Sequence, residues 1–434
     1  DNQRVQVKRF VQVTCKSVDV CAPRQLPSGC VLTKIPKKPT DCSVKIDKPG
    51  QIDNSIAGRT NISGAAEFLS QSQVKLDFRG NATVQGYLKI DTPSQIEFSM
   101  KGNSEVENGL KLRTDSQLEL DIRTQVSNGL CVENAGAVTF SPNGGSVDGD
   151  ISITSTDQVT IEEFKNADTD QIIIDADGQV KFGETQKSDI SGDVDITAAG
   201  QVTIGDTQET TISGNLNINA SGQVTFSKLN DASIRSVGID ADSQVKFEET
   251  NNTVISRGID VNAPSQVTLD TLTDVLTGPI DINADGQVDI ITNSSVVSGD
   301  IAVPSAGGEI TINIADSDIS GGITTKNEDQ VKLTLTEESA VSEAIDIDTN
   351  SQVDVSLETA SLTDDLTVTT DSQVQLSLTQ STVDGTVSIK SQSQVEVTLE
   401  GASISGDLNI TTPGEVTISD CSAVEGTVKP QNAC

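Results

Sequence analysis

An all-β solenoid is the fold class this sequence predicts, and three observations predict it. The first is a repeat. A small residue, then Gln, then an aliphatic residue, as in DADGQVKF from Asp175 to Phe182, returns every 20–22 residues, a period that marks stacked repeat architectures. The second is alternation. In the unit that starts at Gln201, apolar residues fall at Val202 and Ile204, then Ile212, then Leu216 and Ile218, which gives three short period-two segments per unit. The third is composition. The 434 residues include 2% aromatics, no Trp, no His and one Met, so bulky side chains do not organise the interior. Val, Ile and Thr are abundant instead, and their branched Cβ packs well on a pleated surface.

Each element of a unit follows from its local chemistry. The anchors run from Gln73 to Glu415, with Ala137, Glu309 and Glu415 standing in for Gln at three of them. Gly, Ser or Asp precedes every anchor, as expected of a corner with a left-handed or tightly turned backbone. The anchor residue recurs at that corner. Stacked turns lie about 4.8 Å apart, so the amides of Gln179, Gln201, Gln223, Gln244, Gln266 and Gln287 are expected to form a corner ladder. The residue after each anchor points inward and starts a core strand.

With these units in place, the chain resembles the parallel β-helix superfamily, the solenoids of pectin-degrading enzymes, bacterial adhesin passengers and phage tailspikes. The resemblance covers Gln73 to Glu415. It rests on period and alternation and so implies an architecture and no single family. It implies a right-handed three-sided parallel β-helix of about 17 coils of 20–22 residues, a rod on the order of 80 Å long, with a Cys-rich N-terminal module. Three regions are expected: a basic Cys-rich strand or cap module at 1–50, the repeat domain at 51–420, and a disulfide-braced tail at 421–434.

Charge narrows the partners. The net charge is -35, which repels nucleic acid and anionic lipid. No stretch approaches the roughly twenty apolar residues of a membrane span, so no membrane insertion is expected. The chain starts at Asp1 rather than Met, which reads as a removed signal peptide. Cys15, Cys21, Cys30 and Cys42 crowd one end, and Cys421 and Cys434 the other. Such stapling points to an oxidising compartment, and so to a secreted, extracellular or cell-surface protein. Asn61, Asn81, Asn219, Asn251, Asn293 and Asn409 head N-glycosylation sequons, although a chain rich in Asn, Ser and Thr generates such triplets by chance.

The seventh cysteine is Cys131, between the inward Leu130 and Val132. Alternation points it outward, at the position that Asp195, Asn217, Asp260 and Asp281 occupy in other units. A bridge to a cysteine of the N-terminal module is expected, from the same chain or from the next subunit.

Candidate chemistry is sparse. Enzymes of the superfamily resemble one another in long loops that wall a groove, whereas the coil length here hardly varies and His is absent, so no enzyme activity and no cofactor are expected. Asp281, Asn283, Asp285 and Gly286 imitate half of an EF-hand loop, but its twelfth position is Thr292 rather than the bidentate Glu that Ca²⁺ requires. Weak divalent-cation binding between stacked carboxylates such as Asp260 and Asp281 is the milder expectation. Outward Thr139, Thr160, Thr203, Thr225 and Thr268 hint at an ice-binding array, which Lys181 and Lys246 interrupt.

The termini carry the functional reading. Residues 1–50 hold ten Lys and Arg against four Asp and Glu, a basic head on an acidic rod. Within the head, RVQVKRFVQV alternates like an unpaired strand, with Val5, Val7, Phe10, Val11 and Val13 as its apolar residues. The expected function is a secreted structural protein whose partner is itself, polymerising head to tail into an extracellular filament or surface fibre. The alternatives are a monomeric adhesin or spacer rod, and a polysaccharide-binding or polysaccharide-cleaving β-helix.

Overall fold

The computed structural model describes Cys21, Leu26 and residues 29–431. Cys15, Cys434 and the expected assembly strand of Val5, Val7, Phe10, Val11 and Val13 lie outside the described residues. The chain is an all-β parallel solenoid of about 18 turns. One turn shows the plan: a long strand Val267–Thr273, a two-residue strand Leu276–Thr277, and a five-residue strand Ile280–Ala284. We refer to these as the long, short and third faces. Every strand pairs in parallel with its equivalent one level away, as Val267 does with Val288 and Ile280 with Ile301.

The ladder reaches one level further than the anchors from Gln73 imply, because Gln51 heads the strand Ile52–Gly58, which pairs with Val74–Gly80. On the third face, Ser43–Lys48 pairs with Ala66–Ser70 at one end and Val428–Lys429 with Leu408–Asn409 at the other.

The interior matches the alternation. The residue after each anchor, from Ile52 to Val395, is at most 1% exposed, and each such aliphatic side chain contributes about 1.5–3 kcal/mol of burial. Phenylalanines thicken the core at intervals. Phe226 and Phe247, register partners on adjacent levels, stack 4.2 Å apart at an interplanar angle of 6°.

The corners differ from expectation. Left-handed backbone is not found at the glycines before the anchors. It forms a column at the opposite corner, after the long strand, through Gly58, Gly80 and Gly102 and then Asn166, Lys187, Glu209, Asp231, Asn252, Asp274, Asp316 and Thr359. Directly behind that column, buried serines close the turn: the N–H groups of Ala167, Val275, Ser295 and Ala360 donate to the Oγ of Ser188, Ser295, Ser317 and Ser381 on the next level, at 3.0–3.2 Å. These hydroxyls satisfy amides that a left-handed residue turns away from the ladder.

At the corner before the anchors, glycine serves close approach. A Cβ on Gly178, Gly200 or Gly222 would fall 2.7–2.9 Å from the main chain of the level before. Where the corner residue is not Gly, a buried hydroxyl fixes the turn. Ser155 Oγ donates to Gly136 O at 2.7 Å and accepts from Asp157 N at 3.1 Å, a local motif characteristic of Ser and Thr in turns.

Candidate assembly surfaces

The N-terminal anchor is covalent. Cys30 bonds Cys42, and Cys21 bonds Cys131 across 110 residues, which is the same-chain form of the bridge expected of Cys131. Cys131 occupies an outward register, between Lys111 and Ser152, yet it is 0% exposed rather than a surface thiol. Its register row faces outward, and burial comes from chain docked over that face. The amine of Lys111, one level away, donates to Cys21 O at 2.9 Å and pairs with Glu133 at 2.8 Å, so the docked segment is held by a charge-assisted bond beside the sulfur bridge.

At the far end, Cys421 is disulfide-bonded. Asp420 caps the short 3₁₀ turn Cys421–Ala423 by accepting from Ser422 N and Oγ at 2.9 and 2.7 Å, and these two bonds hold its carboxyl below the usual range. Among the described residues the last long strand, Val416–Ile418, pairs on one edge only, with Val395–Val397. Val416, Ile418 and Val428 are half-buried there.

The corner ladder runs through main chain. The carbonyls of Gln179, Gln201, Gln223, Gln244, Gln266 and Gln287 each accept the N–H of the inward residue one level earlier, at 2.9–3.0 Å. The side chains of Gln266 and Gln287 instead donate to the Asp289 carboxylate at 3.4 and 3.3 Å. Gln51 and Gln73 do join amide to amide, at 3.3 Å.

Acidic groups line the faces. Asp260 and Asp281 are register neighbours, as are Asn262 and Asn283. Among the described residues no group of three or more His, Cys, Asp or Glu is placed to hold a metal. Asp150 is raised above the ordinary carboxylate range by burial and by the nearby charge of Asp170. A surface groove of about 620 Å³ lies on the long face between Gln95 and Glu163. Its central carboxylate, Asp121, is committed to Arg123 at 2.9 Å and Lys101 at 3.2 Å.

Of the sequon asparagines, Asn81, Asn219 and Asn293 are exposed, while Asn61, Asn251 and Asn409 are half-buried. Asn251 also spends its amide on Glu249 at 2.7 Å and Asn230 at 3.3 Å.

The chain matches no protein-family model, no curated protein and no solved structure. No described helix is long and apolar enough to cross a membrane.

Proposed function

We propose that this chain is a secreted structural protein that assembles head to tail with copies of itself into an extracellular filament or surface fibre. The observation that carries this reading is the uneven charge along the rod. Residues 1–50 hold ten basic against four acidic groups, whereas residues 258–434 hold 29 acidic against four basic. Opposite ends of two copies attract and orient one another, and a contact between unlike ends does not close, so it propagates. The single-edged strand Val416–Ile418 is the natural receiver for an added strand, and residues 4–13 are the donor. The disulfides fit an oxidising compartment. Exposed Asn81, Asn219 and Asn293 are the sequons a glycan would use. Divalent cations enter as weak shields between stacked carboxylates such as Asp260 and Asp281. Catalysis has no part in this reading.

Deleting residues 1–14 tests it. The truncated chain should fold into rods that no longer polymerise, seen by negative-stain electron microscopy, while the full chain forms long uniform fibres. Fibres of normal length from the truncated chain overturn the proposal, and isolated rods from the full chain support the spacer alternative.

A further inference from the structure

The outward side of the short face is polar or small over most of the rod, with Thr211 and Ser233 on one side of the middle and Asp318 and Ala340 on the other. Three consecutive levels break this pattern. Val254, Leu276 and Val296 are register partners, and they are 37%, 46% and 41% exposed. At the centre the polarity is inverted. Leu276 faces out, while its neighbour Thr277 faces in, 1% exposed, with no hydrogen-bond partner for its hydroxyl. A buried unpartnered hydroxyl costs on the order of 1–3 kcal/mol, and the opposite order of the two residues would avoid both that cost and the exposed leucine. An apolar ladder retained against the local optimum marks a contact surface.

The charges around it are ordered along the rod. Arg257 lies one level before Leu276 and Arg235 two levels before, stacked through a 2.7 Å bond from Arg257 N to Arg235 O. Neither arginine forms an ion pair among the described residues. Asp300 lies one level after Leu276 and Asp318 two levels after. The sequence along the axis is therefore positive, apolar, negative.

We infer that this face pairs two rods side by side and antiparallel, related by a two-fold axis that passes across the face at Leu276. That rotation sets Leu276 and Pro279 each against its own copy and Val254 against Val296. It also sets Arg257 against Asp300 and Arg235 beside Asp318, each pair formed twice, as an isologous interface requires. Further out, Thr211 meets Ala340, and Asp189 meets Ser361, so no carboxylate of this column faces another. Like-charge encounters remain on the flanks of the strip: in the corner column Asp274, on the axis, faces itself, Asp231 faces Asp316 and Glu209 faces Glu337, and on the other flank Asp193 faces Asp365. A strip about ten levels long and about 10 Å wide buries on the order of 1,000 Å² in total, the lower end for a specific interface, so the pair is reversible. Lateral pairing goes beyond the end-to-end assembly proposed above and does not need residues 1–14.

Sedimentation equilibrium of the full chain, and of the chain lacking residues 1–14, tests the inference separately from head-to-tail assembly. The truncated chain should show a monomer–dimer equilibrium, and the full chain the same pairing below the concentration at which it grows fibres. Leu276→Asp should abolish the pairing, Arg257→Asp should weaken it several-fold, and Arg257→Asp combined with Asp300→Arg should restore it. Asp274→Asn should tighten it. Leu276→Cys should cross-link spontaneously into a reducible dimer. A wild-type chain lacking residues 1–14 that stays monomeric at every soluble concentration overturns the inference, as does a dimer indifferent to Leu276→Asp. Failure of the charge swap to restore pairing overturns the antiparallel arrangement.

Discussion

Replacing Cys131 with Ser breaks the bridge to Cys21 with little local disturbance, since the next level carries Ser152 in the same outward row. Two magnitudes bracket the effect. If the whole chain unfolded as one unit, the bridge would close a loop of 110 residues, worth about 4.8 kcal/mol by chain entropy. The solenoid stacks level on level, however, and a detached N-terminal segment leaves the levels beyond it paired. The relevant loop is then the nine residues from Cys21 to Cys30, where the second bridge takes over, worth about 2.6 kcal/mol. At about 1.36 kcal/mol per decade, local opening should rise roughly a hundredfold. The N–H of Ser43 donates to Cys30 O at 3.0 Å and reports that opening. Hydrogen–deuterium exchange at Ser43 should therefore accelerate by about two decades in Cys131→Ser, while exchange in Val180–Gln186 stays unchanged. Equal acceleration at both sites would show that the bridge stabilises the whole rod, and no change at Ser43 would show that the segment is held without it. Either outcome refutes the reasoning.

Three further outcomes are expected. Asp150 has a folded pKa raised by burial and by Asp170, so its ionisation subtracts stability above that pKa, and the penalty is relieved as pH falls through it. Asp150→Asn should therefore raise the melting temperature at neutral pH, with the difference fading in acid, and an unchanged or widening difference in acid contradicts the sign. Thr359 holds a φ of 53°, strained for a β-branched residue, so Thr359→Gly should stabilise its level by about 1 kcal/mol, read as slower exchange at Ser361, and a loss would show that the side chain outweighs the strain. Phe247→Ala should cost about 3–5 kcal/mol by emptying one half of the stacked pair, measured by denaturant unfolding, and a cost below about 1 kcal/mol would mean the core collapses around the gap.

The long face was legible because its signal is local: a residue one step after each anchor must point inward, and Val180, Val202 and Val224 do. The outward direction of Cys131 followed from the same alternation. Its burial did not, because the covering segment is about 110 residues away in sequence. The left-handed column was less legible, because the glycines before the anchors carry the more regular turn signal and yet serve close approach instead. A signal was present: Gly58, Gly80 and Gly102 recur at 22 residues, and the column continues as Asn166, Asp231, Asn252, Asp274 and Asp316, residue types that tolerate positive φ. The inversion at Leu276 and Thr277 was not legible, since VLT fits either phase of a two-residue strand.

The Cys21–Cys131 bridge also fixes a radius of action. Val13 lies eight residue steps from Cys21, so an extended chain carries Val13 at most about 27 Å from the anchor. The third-face strand bearing Cys131 and the last one, Val428–Lys429, are fourteen steps apart along the ladder, about 67 Å at about 4.8 Å per step. A molecule cannot bring residues 5–13 onto its own last level. Intramolecular closure, which would leave each copy satisfied and inert, is ruled out by tether length alone. Any bond between that segment and a last level joins two molecules, so its occupancy depends on protein concentration, and under the proposed head-to-tail assembly growth should set in above a critical concentration with no self-capped state to compete.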